Sequence, residues 1–238
     1  MMSISLILKS CVEPKTEGVM QSALPFKEVE ENNFNEDEFF IDSCFRWLEK
    51  RPVGGTVRFV AKNYYLTKDI VLPQMINDIE RKKFIINMNG AKIMGGSLID
   101  TARSWQRIHD INTFRSFYIE HGEFNGIKSG LKIQGAQMSN FNNLVFAGCK
   151  TGGYFGLCLQ SQFNSIEENQ CLDTGIYIGL AQGIGCTPYN SQSNNVMVNM
   201  YRSFGAGTAN SIIFDRVSGC VVDNITNEGK GCKNFLIV

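Results

Sequence analysis

No Cys-x-x-Cys pair occurs in the 238 residues, and there are only two histidines, His109 and His121. A structural zinc site draws its ligands from such pairs and from histidine, so none is expected, and no cofactor is implied. Net charge is lacking as well. The 23 basic residues balance 23 acidic ones, which leaves no basic face for gripping phosphates and no nucleic-acid partner to expect. Sugar binding is not excluded, because it depends on aromatic faces and amides more than on net charge. No run is long and apolar enough to span a bilayer, so no membrane association is expected. The opening MMSISLILKSC has a short apolar run with no basic region before it, too short for an export signal. Synthesis in a cytoplasm, without export by the usual route, is the expectation.

Eight cysteines are present, at 11, 44, 149, 158, 171, 186, 220 and 232. Several lie in apolar runs (Leu157-Cys158-Leu159, Cys220-Val221-Val222), where Cys acts as a small hydrophobe. Mostly reduced, buried thiols are expected.

Residues 1–36 read as an arm with scattered hydrophobes and no clear period. From 37 to 50, Phe40, Ile41, Cys44, Trp47 and Leu48 fall at i, i+1, i+4, i+7 and i+8, one face of a helix that Pro52 and Gly54-Gly55 stop. From Thr56 the period becomes that of strands, and no helical period returns.

From about residue 113 a phrase repeats. SNFNNLVFAGCKTG at 139–152 and SQFNSIEENQCLDTG at 161–175 share their opening and their Thr-Gly close, with Leu144 falling 22 residues before Ile166. Short strands follow in two interleaved series. One contains RSFYIEHGEF, NNLVFAG, NSIEENQC, NNVMVNMY and SGCVVDNIT; the other contains GLKIQGA, GYFGLCLQ, GIYIGLA, NSIIFD and NFLIV. Taking Phe117, Leu144, Ile166, Val196 and Cys220 as equivalent gives spacings of 27, 22, 30 and 24 residues. Repeats of about 20–50 residues signal a solenoid, and the Leu-x-x-Leu-x-Leu frame of leucine-rich repeats is absent. The fold class expected is therefore all-β: a single-stranded right-handed parallel β-helix (solenoid) with a short N-terminal capping helix and an extended N-terminal arm. Its parts are the arm 1–36 and the β-helix domain 37–238, with the helix at 37–50 and the coils at 56–238. Leu144, Ile166 and Val196 should point inward, and Asn142, Asn164 and Asn194 should ladder at a recurring corner.

The stretch IDSCFRWLEKRPVGGTVRFVAKNYYLTKDIVLP, 41–73, resembles the entry segment of the pectate-lyase-like β-helix superfamily. Gly54-Gly55, Tyr65, Ile70, Leu72 and Pro73 match, while PFKEVEENNF replaces the family's usual opening strand. The resemblance covers about 40–238 and implies a helix capping the first coil. Members include pectin-cleaving enzymes and bacteriophage tailspikes and tail components that bind or cleave surface polysaccharide. The Asn-Thr-Asp, Asp-Asp, Gly-His-Gly and Arg-Ile-Lys motifs of polygalacturonases are absent, and His121-Gly122 follows Glu120 rather than Gly. Glycoside cleavage needs two carboxyl groups about 5–9.5 Å apart. Candidate catalytic acids are Glu120, Glu123, Glu168 and Asp173, weighed against a solvated role on strand exteriors; no metal ligands stand out. His109 and His121 read as structural or surface residues. Candidate sugar-stacking residues are Tyr154, Tyr177, Tyr189 and Tyr201. The 183–190 segment lengthens one coil and is a place where function tends to sit.

Three functions follow as expectations. The leading one is a bacteriophage tail structural or receptor-binding protein, a tailspike or tail-fibre component. It would be located in the virion and homotrimeric, dock on other tail or baseplate proteins through 1–36, and attach to host-surface polysaccharide. The second is a polysaccharide depolymerase with carboxylates between coils or chains. The third is a bacterial surface carbohydrate-binding protein.

Overall fold

The computed structural model describes residues 5–7, 34–74, 82–99, 115–126, 128–182, 186–187, 192–204, 210–228 and 234–237. Most of the arm, together with His109 and Tyr189, lies outside them. The one helix among these residues, α1 (Phe34–Glu49), matches the apolar period. Ile41, Cys44, Phe45 and Leu48 are buried along it, and Phe40 and Trp47 pack partly against the same core. Two buried acids at its start tie it to the strands that follow. Asp37 pairs with Lys62, and Glu38 accepts the Thr67 hydroxyl (2.7 Å) and the Lys68 N–H (3.2 Å). Gly54, at φ 84°, lets the chain leave the helix: a Cβ there would lie 2.1 Å from the Lys83 carbonyl oxygen.

The rest is all-β, a single sheet of 17 strands in which every pairing among the described residues is parallel. The first strands are β1 (Ser5–Ile7), β2 (Gly54–Arg58), β3 (Asn63–Tyr65), β4 (Ile70–Val71), β5 (Lys82–Asn87), β6 (Lys92–Gly95) and β7 (Leu98–Ile99). Two interleaved ladders follow. One runs β8 (Arg115–Gly126), β10 (Asn140–Ala147), β12 (Gln162–Asn169), β14 (Met197–Ser203) and β16 (Val221–Asn227). The other runs β9 (Ser129–Gln137), β11 (Thr151–Leu159), β13 (Thr174–Gly179), β15 (Asn210–Phe214) and β17 (Asn234–Ile237). These are the two series of strands legible in the sequence.

Register stacks like on like inside the curled sheet. Ile86, Ile119, Phe141, Phe163 and Val198 form one buried column, continued by the exposed Val222, with Phe141 and Phe163 rings 4.9 Å apart. Phe124 and Phe146 stack in another at 5.5 Å. Each such side chain contributes about 1.5–3 kcal/mol when fully buried. Facing the Phe124–Phe146 column is a column of glycines, Gly130, Gly152 and Gly175. A Cβ on Gly152 would come 2.6 Å from Phe146 Cβ.

The expected equivalences hold in part. Leu144, Ile166 and Val196 are all buried, and Leu144 does pair with Ile166. Ile166, however, pairs with Tyr201, and Val196 stands level with Cys220 in the turn before β14. The column of outward Asn residues correspondingly runs Asn142, Asn164, Asn199, without Asn194, and the Asn164 amide donates to Asn140 Oδ1 (3.3 Å) rather than to Asn142. The slip has a local cause. Asn143 and Asn195 both adopt positive φ, 50° and 52°, but at different bends. Asn195 stacks with Gln160 (φ 51°) and Met138 (φ 49°), so the two Asn-Asn dipeptides look alike and are not equivalent. Cys149, Cys158, Cys171, Cys186 and Cys220 are free thiols, the first three buried, whereas Cys44 is disulfide-bonded.

Candidate functional site: an outer groove along the stacked bends

Each strand of the β8–β16 ladder is broken once by a residue of positive φ: His121 (59°), Asn143 (50°), Ser165 (55°), Met200 (60°) and Asn224 (52°). Register places them one above another. The left-handed region costs most L-residues about 1–2 kcal/mol and is visited more readily by Asn, Asp and His. The bend resets the alternation of the strand: Phe141 faces in and Asn142 out before it, Leu144 in and Val145 out after it. Two rows of outward side chains therefore flank the column of bends. One carries Arg58, Asn87, Glu120, Asn142, Asn164 and Asn199. The other carries Lys92, Glu123, Val145, Glu167 and Arg202.

Between the rows lies a depression of about 640 Å³ lined by Arg58, Asn87, Asn89, His121, Glu123 and Asn143. A second, of about 200 Å³, is lined by Ser165, Glu167, Met200 and Arg202. Both include Asn143 and Val145, so they join into one groove parallel to the stacking direction. Its polar groups are held in place. Asn143 Nδ2 lies 3.2 Å from His121 Nδ1, and His121 Nε2 faces Glu120 Oε2 at 3.9 Å. Asn87 donates to Glu120 Oε1 (2.8 Å), Lys92 pairs with Glu123 (2.7 Å), and Arg58 donates to Asn89 Oδ1 (3.2 Å). The groove offers fixed amide, imidazole, guanidinium and carboxylate groups to a hydroxyl-rich ligand, with its charges largely balanced.

Of the carboxylates proposed from sequence, Glu120 and Glu123 stand on this groove, on opposite sides of the His121 bend. Glu168 does not join them. It occupies the inward position stacked on Phe146, is fully buried, and accepts the Ser203 hydroxyl (2.6 Å) and the Cys171 N–H (2.8 Å). Glu167, its neighbour, is the one that faces out. Asp173 lies in the exposed turn after β12, with Lys150 at 3.5 Å. Among the described residues no group of three or more His, Cys, Asp or Glu side chains gathers where it could hold a metal ion.

Three of the four aromatic candidates, Tyr154, Tyr177 and Tyr201, are engaged in contacts within the fold. Tyr154 and Tyr177 stack on each other at 4.7 Å and 6°, and Lys132 covers the Tyr154 ring at 5.3 Å. Their hydroxyls are tied to the Leu180 carbonyl (2.5 Å) and to Asp215 Oδ2 (2.8 Å). Burial pushes the Tyr154 phenol well above its ordinary range; burial first, then the bond to Asp215, pushes that of Tyr177 up to about 12. Tyr201 is fully buried, donating to Ser211 O (2.6 Å). The sequence offers no direct pointer to the groove residues Arg58, Asn87, Asn89, Asn143 and Arg202, and His121, expected as a structural or surface residue, is exposed on the groove. The available signal was the recurrence of Asn-Gly and His-Gly at strand breaks, as in Asn89-Gly90 and His121-Gly122.

Compared with known proteins, the chain matches no family model, no curated protein and no solved structure.

Proposed function

We propose that the chain winds as a right-handed parallel β-helix and serves as a bacteriophage tail attachment protein, of the tailspike or tail-fibre kind, holding a host-surface polysaccharide in its outer groove. Parallel pairing of every described strand, with strands returning three places along the chain from β2 to β5 and two places from β8 onward, supports the winding. The right hand follows from the strong general preference of parallel crossover connections. The observation that carries the function is the continuous groove, in which amide and charged side chains recur at strand spacing along the stacking direction, as an extended polar chain would require. Docking through residues 1–36 and assembly with two further copies belong to the same reading.

The test is binding of the purified chain to a panel of bacterial capsular and lipopolysaccharide glycans. Asn143→Ala with Arg202→Ala should weaken binding on the order of tenfold, about 1.4 kcal/mol. The same glycans should remain uncut. Absence of binding across the panel would overturn the reading. A depolymerase is the second reading, favoured by Glu123 lining the groove and Glu120 flanking it beside His121. Release of reducing ends or unsaturated sugars, abolished by Glu120→Gln or Glu123→Gln, would put it first.

A further inference from the structure

Cys149 and Cys171 follow β10 and β12 at the same place, one step apart in the stack. Ala147 pairs with Asn169, the Gly148 N–H donates to Asn169 O (2.9 Å), and the Leu172 N–H donates to Cys149 O (2.8 Å). Gly148 and Gln170, just before the two cysteines, share positive φ (64° and 58°), so both chains turn inward alike. Both side chains are buried and both are free thiols. Neighbouring strands stand about 4.8 Å apart, inside the window of about 4.4–6.8 Å that a disulfide spans between Cα atoms. Each side chain is the largest single influence on the other's ionisation, as neighbours in the stack.

Their surroundings differ. The Gly126 N–H donates to Cys149 Sγ (3.3 Å), which favours a thiolate there. Carbonyl oxygens face both sulfurs, Phe124 O (3.5 Å) and Ala147 O (3.6 Å) at Cys149 and Phe146 O (3.7 Å) at Cys171, but only Cys171 also has the Glu168 carboxylate nearby, which disfavours a thiolate there. The Cys171 side chain, with help from the Gly126 N–H, holds the Cys149 thiol below its ordinary range; the Cys149 side chain, with burial, pushes the Cys171 thiol up.

We propose that Cys149 and Cys171 form a peroxide-oxidisable pair, Cys149 reacting first and Cys171 resolving it into a disulfide that joins β10 to β12. In the first step the Cys149 thiolate attacks one oxygen of hydrogen peroxide. The O–O bond breaks, hydroxide leaves and takes up a proton as water, and Cys149 becomes a sulfenic acid. The Cys171 sulfur then attacks Cys149 Sγ. The S–O bond breaks, the oxygen departs as water with the Cys171 proton, and the S–S bond forms. Two thiols and one peroxide give one disulfide and two waters; sulfur is oxidised and peroxide reduced. Burial makes the first step slow, paced by opening of the 148–150 turn.

The experiment treats the native full chain with hydrogen peroxide and maps its peptides without reduction. A Cys149–Cys171 cross-linked peptide is expected. In Cys171→Ser, or Cys171→Ala if the hydroxyl perturbs folding, the sulfenic acid should persist at Cys149 and be captured by dimedone. In Cys149→Ser, Cys171 should stay reduced. Recovery of both wild-type residues as thiols while Cys186 or Cys220 is oxidised would overturn the pairing. Dimedone capture at Cys171 in the Cys149→Ser chain would overturn the order of events.

Discussion

Replacing Gly152 by alanine tests the packing of the two facing columns most directly. The new Cβ would lie 2.4 Å from the Gly175 carbonyl oxygen and 2.6 Å from Phe146 Cβ. Favourable contacts begin near about 3.5 Å, so the atoms must separate by roughly an ångström. Neither neighbour yields easily. The Gly175 oxygen belongs to the backbone of β13, and Phe146 is held by its stack on Phe124. Overpacking a filled core costs about 1–3 kcal/mol, and contact with fixed atoms places this substitution at about 3. Lost freedom of the unfolded chain offsets about 0.4–1 kcal/mol of that. A net loss of roughly 2 kcal/mol should lower Tm by about 4–8 °C in a chain this long. Gly55→Ala supplies the control, since its Cβ would meet only side-chain ends, Leu48 at 3.3 Å and the Trp47 ring at 3.6 Å, with no positive φ to oppose it. Thermal melts followed by circular dichroism, with urea titrations alongside, compare the two. If Gly152→Ala melts no lower than Gly55→Ala, the close approach of the columns is wrong.

Ile166→Lys should destabilise by several kcal/mol, because it forfeits burial worth about 1.5–3 kcal/mol and strands a charge between Leu144 and Tyr201; a parent-like urea midpoint would show that Ile166 does not face inward. The tyrosines make a pH prediction. Burial, the largest influence on both, pushes the Tyr64 and Tyr177 phenols from an ordinary value of 10.0 up to about 12. The unfolded chain therefore releases these protons first, so stability contributed below pH about 10 should be lost as pH rises towards about 12. Unfolding midpoints that stay level across that window, or tyrosinate absorbance showing both phenols ionised by pH about 11, would contradict the burial of the two hydroxyls.

Strand positions were legible because inward residues alternate with polar ones and because Gly or Asn marks nearly every corner. The helix was legible for the same kind of reason, its apolar face repeating at 3.6 residues. Register was harder. Asn143 and Asn195 carry the same backbone conformation at two distinct bends, and Met200 takes the place where an Asn would have flagged the true equivalent. The groove was least legible, because it belongs to no segment of sequence. It is assembled from at most three residues of each strand, the stacked bends separated by 22 or more positions from β8 onward, and it exists only once the strands are stacked. Glu168 shows the converse difficulty. Glu167 and Glu168 are adjacent and chemically alike, and only the phase of the strand after the Ser165 bend decides which faces water.

That buried carboxylate also bears on how a repetitive chain keeps its order. Ile93, Phe124 and Phe146 would accept almost any apolar strand above them, so hydrophobicity alone does not count the turns of the stack. Glu168 sits next in the column, and the groups that satisfy it come from its own corner and from β14, with Ser211 of β15 bonded to Ser203 at 2.8 Å. A strand inserted out of turn would leave the carboxylate facing an apolar ceiling, a loss of several kcal/mol. One acidic residue in an otherwise interchangeable column thus works as a page number, and a chain built of near copies has a single order in which its layers can be bound.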